Sequence, residues 1–163
     1  MKYSTKYLVQ AALIAALYAT LTLLLSPIGY GPIQFRISEV LTLLPVISSA
    51  SIPGLFIGCI LANWLGGFGL ADIIFGSLAT LLAAISTYLL RRTRFLYPLP
   101  PAIFNGVIVG SYIYLLYDKT YPIALTMLFI GGAEAVICYG FGLPLISFIR
   151  KSPGLRRSLH IDE

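Results

Sequence analysis

Charge is scarce in this chain of 163 residues: 10% are Asp, Glu, Lys or Arg, against 58% hydrophobic residues. So little polar surface cannot cover a soluble globule, which excludes a free-standing soluble domain and requires hydrocarbon as the solvent. Histidine is almost absent. The single one, His160, lies in the tail, where solvation accounts for it, so no histidine-rich metal cluster or histidine-based triad is expected in the apolar body. No phosphate-binding loop of the G-x-x-x-x-G-K-[ST] type occurs, and GGFG at Gly66 to Gly69 lacks the lysine. ATP hydrolysis is therefore not expected of this chain itself. The two cysteines, Cys59 and Cys138, both fall within apolar runs, where a thiol packs as a small hydrophobe and a disulfide is not expected. No catalytic residue, metal or cofactor is predicted.

What the chain has in quantity is apolar sequence. A bilayer core about 30 Å thick takes ~20 residues per helical crossing, so this length accommodates about six crossings. The expected fold is an all-α membrane protein with six transmembrane helices over about 7–25, 38–49, 53–65, 72–90, 101–117 and 121–149. Together they form one domain over 1–151, followed by a charged tail, 152–163. Pro27, Gly29, Gly31 and Pro32 end the first helix, Ser48 to Gly54 divides the second from the third, and Pro98, Pro100 and Pro101 introduce the fifth. Nine of the eleven basic residues form three clusters, Lys2/Lys6, Arg91/Arg92/Arg94 and Arg150/Lys151/Arg156/Arg157. Cytoplasmic loops collect Lys and Arg, so both termini are expected inside. Nucleic acid is not expected as a partner. Tyr112, Tyr114, Tyr117 and Tyr121 read as an interfacial belt at an outer turn.

Ionisable groups in hydrocarbon need internal partners, which makes them the first functional candidates. Glu134 lies near the middle of helix 6, Asp72 opens helix 4, and Arg36 with Glu39 opens helix 2 at a spacing that puts both on one face. The alternative reading is that these two simply pair with each other, and that Asp72 favours the positive end of its helix dipole. Arg36, Glu39, Asp72, Gln34, Asn63 and Trp64 map to the outer ends of helices 2 to 4, where one pocket opening outward would gather them. Phe35, Trp64 and Phe68 would supply stacking faces. Carboxylate acceptors beside amide and guanidinium donors suit a flat heterocycle with hydrogen-bonding edges better than a lipid. In helix 1, Ala11, Ala15 and Ala19 form one small-residue ridge and Ala12 with Ala16 another, fit for close packing within the chain or for docking a second membrane protein.

QFRISEVLTLLP (Gln34 to Pro45), NWLGGFGLADIIFGSLATLLAA (Asn63 to Ala84) and FNGVIVG (Phe104 to Gly110) resemble the QueT family, with R-x-S-E and G-x-x-D-x-x-x-G-S as the more specific elements. That family comprises substrate-capture subunits, or S-components, of energy-coupling factor (ECF) transporters, and the similarity runs from helix 1 to helix 6. The resemblance implies a six-helix S-component fold with cytoplasmic termini in a bacterial plasma membrane. It also implies uptake of a queuosine precursor, a 7-deazaguanine such as preQ0, preQ1 or queuine. The implied partners are a transmembrane coupling subunit, docked on Ala11, Ala15 and Ala19 or on Ala12 and Ala16, and two ATPase subunits. Glu134 or Glu39 is expected to accept the ligand's guanine-like N–H edge, and Arg36, Gln34 or Asn63 to meet its acceptor edge. Asp72 would then meet an aminomethyl cation. Asn105 belongs to a family-like motif but falls nearer the cytoplasmic end of helix 5, away from an outer pocket. An S-component for another vitamin, a small intramembrane enzyme using Glu134 and Asp72 as acid and base, and a channel-like subunit are the competing readings.

Overall fold

The computed structural model describes residues 4–25 and 36–154, and every regular element among them is helical. Six helices follow in order: α1 (Thr5–Leu24), α2 (Ile37–Val46), α3 (Ser51–Leu65), α4 (Asp72–Leu89), α5 (Leu99–Leu116) and α6 (Ile123–Lys151). Four of them, α1, α4, α5 and α6, are long and apolar enough to cross a membrane. The other two are shorter. At rises of roughly 2.0 Å and 1.5 Å per residue, α2 and α3 reach only about 20 Å and 22 Å, short of the ~30 Å hydrocarbon core. Where the sequence suggests six crossings, the helix lengths give four full spans and two short helices.

The short α2 sits at the centre. It winds as a 3₁₀ helix of ten residues, with Glu39 N–H donating to Arg36 C=O at 3.0 Å and Ile47 N–H to Leu44 C=O at 2.9 Å. Runs beyond three or four residues are uncommon for this helix type. Pro45, inside it, has no N–H to give, and Ile37, Val40, Thr42 and Val46 are β-branched, so propensity does not explain the element. Enclosure does. Helix α2 packs against α1, α3, α4 and α6, and its stretch from Leu41 to Val46 is buried throughout.

Glycines set two close helix crossings. On α3, Gly54 and Gly58 lie so near α1 that an added Cβ would stand 2.7 Å from Ala11 O and 2.8 Å from Ala15 O. Between α5 and α6, Gly110 faces Met127 Cα and Gly131 faces Ala102 O, at 2.8 Å and 2.9 Å on the same measure. Small residues at such contacts let helix backbones approach in lipid, where dispersion rather than the hydrophobic effect drives association. The α3–α4 turn needs glycine for another reason: Gly67 and Gly69 have φ of 68° and 99°, which side-chain-bearing residues adopt at a cost. In the α5–α6 turn, Asp118 accepts from Thr120 N–H at 2.8 Å and from its hydroxyl at 2.5 Å. These bonds hold the Asp118 carboxyl below its ordinary range, so the turn loses them only as acid protonates that group.

Candidate functional site

Arg36 is the residue before the first turn of α2, with extended backbone (φ −92°, ψ 103°). It does not share a helical face with Glu39, which corrects the expectation of three-residue helical spacing. Its guanidinium crosses to α4 and pairs with Asp72, Nη2 to Oδ1, at 3.3 Å. The same Oδ1 accepts the Tyr112 hydroxyl of α5 at 2.9 Å, and the Asp72 carbonyl accepts Asn63 Nδ2 of α3 at 2.9 Å. One aspartate thus ties together four elements. Tyr112 is therefore a buried site neighbour and not a belt residue, whereas Tyr117 and Tyr121 are exposed.

A second carboxyl group lies at the α2 centre. Glu39 Oε1 accepts the Tyr18 hydroxyl of α1 at 2.5 Å, and its carboxyl group also meets that of Glu134. A third, Glu134 of α6, has the Cys138 thiol at 3.7 Å, and that sulfur also meets the Thr42 hydroxyl at 3.7 Å. Arg36, Glu39, Asn105, Val109, Ile130 and Glu134 line one small cavity of about 10 Å³. That volume takes about one water molecule. Arg36, Glu39, Asp72, Asn105 and Glu134 are each at most 7% exposed.

Backbone irregularity marks the same level of the bundle. Three helices carry a five-residue π turn: Asp72–Gly76 in α4, Asn105–Val109 in α5 and Cys138–Gly142 in α6. Two of these begin on a site residue and the third one turn after Glu134. A π turn widens the helix locally and shifts the direction of its side chains, and such turns are frequent at functional sites.

Most of the ionisable residues singled out from the sequence meet here. Asn105 joins them, contrary to its expected place: α5 begins at Leu99, so six residues carry Asn105 roughly 9 Å into the bundle. Asn63 supports Asp72 through its carbonyl and does not line the cavity. Trp64 is 65% exposed and Phe68 folds over Gly66, so neither lines it. Gln34 and Phe35 lie outside the described residues. Tyr18 was not foreseen, because it lies in an alanine-rich apolar run. The one available signal is that it shares a helix face with Ala11, Ile14 and Thr22, all buried. Replacing Tyr18 with Phe keeps the ring but leaves Glu39 Oε1 without its donor. We expect a loss of about 1–3 kcal/mol, read as a lower thermal unfolding midpoint in detergent; an unchanged midpoint would show that this bond is not a stabilising one.

The two alanine ridges of α1 have different fates. Ala11, Ala15 and Ala19 are buried, Ala11 and Ala15 against Gly54 and Gly58 of α3. Ala12 and Ala16 are exposed and line an open apolar groove of about 730 Å³ between α1 and α3, with Leu8, Phe56 and Ile57 among its other walls. Both cysteines are buried and free.

Long apolar helices around an enclosed cluster of three carboxyl groups, a guanidinium and an amide define a multi-pass membrane protein with an internal polar site. Residues 8–151 match the model of a family described as QueT transporter. A stretch of 84 residues is 45% identical to the "Queuosine precursor transporter QueT" of Lactococcus lactis subsp. cremoris (strain MG1363), covering 50% of this chain and 49% of that relative. The matched stretch thus spans about half of the relative's length. No solved structure matches the chain significantly. The chain belongs to the QueT transporter family.

Proposed function

We propose that this chain is the substrate-capture subunit of an ECF-type importer in a bacterial plasma membrane, with both termini cytoplasmic, and that its substrate is a queuosine precursor of the 7-deazaguanine type. The observation that carries the reading is the buried cavity formed by Glu39, Glu134, Arg36 and Asn105 in a member of the QueT transporter family. A deazaguanine offers N–H donors and a carbonyl acceptor on one rigid plane. Glu39 and Glu134 match the N–H groups, and Arg36 and Asn105 match the carbonyl. Val109 and Ile130 supply apolar walls for the ring. Because the cavity holds about one water, binding is coupled to its opening, and the π turns of α4, α5 and α6 are where the surrounding backbone is least regular.

Release into the cell needs a coupling subunit and two ATPase subunits. The exposed alanines Ala12 and Ala16 in their apolar groove are the surface that suits the coupling subunit, since Ala11, Ala15 and Ala19 are already occupied within the chain. Replacing Ala12 and Ala16 together with Leu should abolish uptake of labelled preQ1 by cells that express the chain with a coupling module. Binding of preQ1 by the purified variant should stay as in the native chain. Uptake at the native rate would remove this groove from the docking surface. Uptake in cells that lack any coupling module would overturn the ECF assignment.

A further inference from the structure

We propose that the groove between α1, α2 and α6 holds one acyl chain of an anionic phospholipid, with the lipid's phosphate at the basic residues around its mouth. The groove has a volume of about 290 Å³ and is walled by Leu13 and Leu17 of α1, Leu41 and Leu44 of α2, and Leu145 and Ile149 of α6. It shares no lining residue with the groove of Ala12 and Ala16 or with the central cavity of Glu39 and Glu134. Its occupancy therefore depends neither on the substrate nor on a coupling subunit. Shape selects a flexible occupant. One turn of helix, about 5.4 Å long and 10 Å wide, is larger than this volume, whereas a chain of methylenes can follow it.

The walls are leucine and isoleucine except at one end, the turn between α2 and α3, where Ser48 and Ser51 line the groove. Ser48 Oγ donates to Gln10 Oε1 of α1 at 3.5 Å. Ser51, the first residue of α3, is fully buried, and its hydroxyl has no hydrogen-bond partner. A buried hydroxyl in that condition is costly unless an acceptor arrives, and the ester carbonyl of a lipid whose chain lies in the groove is such an acceptor. Charge selects the headgroup. Lys6 lies four and seven residues before Gln10 and Leu13, on the same face of α1, and the Tyr7 hydroxyl donates to Ser49 C=O at 3.3 Å, which holds the start of α1 at this turn. Arg150 and Lys151 follow Ile149 directly and close α6. All three basic residues are exposed. The described acidic residues, Glu39, Asp72, Asp118 and Glu134, lie in the central site or in the α5–α6 turn, so no carboxylate among the described residues offsets the positive charge here. Basic pockets between membrane helices take anionic headgroups, and each Lys or Arg near the surface adds to the attraction.

The test is native mass spectrometry of the detergent-purified full chain, titrated with phosphatidylglycerol or with phosphatidylcholine of the same acyl chains, which counts the lipids retained. We expect one phosphatidylglycerol to be held about tenfold more tightly than phosphatidylcholine. Replacing Lys6, Arg150 and Lys151 together with Gln should bring phosphatidylglycerol down to the phosphatidylcholine level. Leu13→Trp and Leu17→Trp, at exposed positions on the rim of the groove, take up the space of the acyl chain and should weaken both lipids by about tenfold. Each variant is checked for folding by thermal unfolding. Equal retention of the two lipids, or retention of neither, would overturn the proposal and leave only the lipid that surrounds any membrane helix. So would a preference for phosphatidylglycerol that survives the loss of the three basic residues. A preference that both tryptophan variants leave untouched would overturn it too, since the headgroup would then be drawn to the basic end without a seat for its chain.

Discussion

Asp72→Ala should destabilise the chain by about 3–5 kcal/mol, the cost of leaving one member of a buried ion pair without its partner. The loss falls on three groups together: the Arg36 guanidinium at 3.3 Å, the Tyr112 hydroxyl at 2.9 Å, and the start of the α4 π turn where Asp72 sits. Asp72→Asn is the informative companion. An amide keeps an acceptor for Tyr112 but not the charge for Arg36, so its loss should fall between the native chain and the alanine variant. Thermal unfolding in detergent, with and without preQ1, reads both effects. A native-like midpoint for Asp72→Ala would show that the Arg36–Asp72 pair does not hold α2 to α4.

Gly54→Val should be the most damaging single change at a helix crossing. Its Cβ would lie 2.7 Å from the backbone oxygen of Ala11 and 3.0 Å from Ile14 Cβ, and a backbone atom cannot rotate away. Helix α1 would have to move off α3, taking Tyr18 and its bond to Glu39 with it. Overpacking of this kind costs typically about 1–3 kcal/mol, and the second branch of valine adds to it. Gly132 is the control. An added Cβ there meets nothing within 4 Å, so Gly132→Ala should stay within about 1 kcal/mol of the native chain. Equal behaviour of the two variants would mean that the α1–α3 contact is looser than the helix positions indicate.

The parts of the fold that follow from local chemistry were legible in the sequence. Apolar length located the helices, and prolines and glycines located the breaks. What was not legible depends on tertiary contact. Nothing in ISEVLTLLPV announces a 3₁₀ helix; that form arises because four other helices enclose the segment. Nor does any feature of the sequence announce the π turns at Asp72, Asn105 and Cys138.

The site divides in the same way. An ionisable side chain in an apolar run is conspicuous, so Arg36, Glu39, Asp72 and Glu134 were found. Partner choice was not. Three-residue spacing favoured Arg36 with Glu39, but the extended backbone at Arg36 sends the guanidinium to Asp72. Asn105 was set apart because the pocket was expected at the outer helix ends, whereas the cavity it lines with Glu39 and Glu134 lies within the bundle. Tyr18 and Tyr112 were passed over because a tyrosine in an apolar helix reads as packing or as belt. Only the fold shows that their hydroxyls meet Glu39 and Asp72.

The central claim is that this chain by itself captures a queuosine precursor, and equilibrium binding by the detergent-purified chain tests it most directly. The ligands are preQ0, preQ1, queuine and guanine, with thiamine, biotin and riboflavin as controls. Saturable binding of at least one deazaguanine, with none of the three vitamins bound, is the predicted result. Folded protein that binds no deazaguanine, or that binds a vitamin in preference, would contradict it.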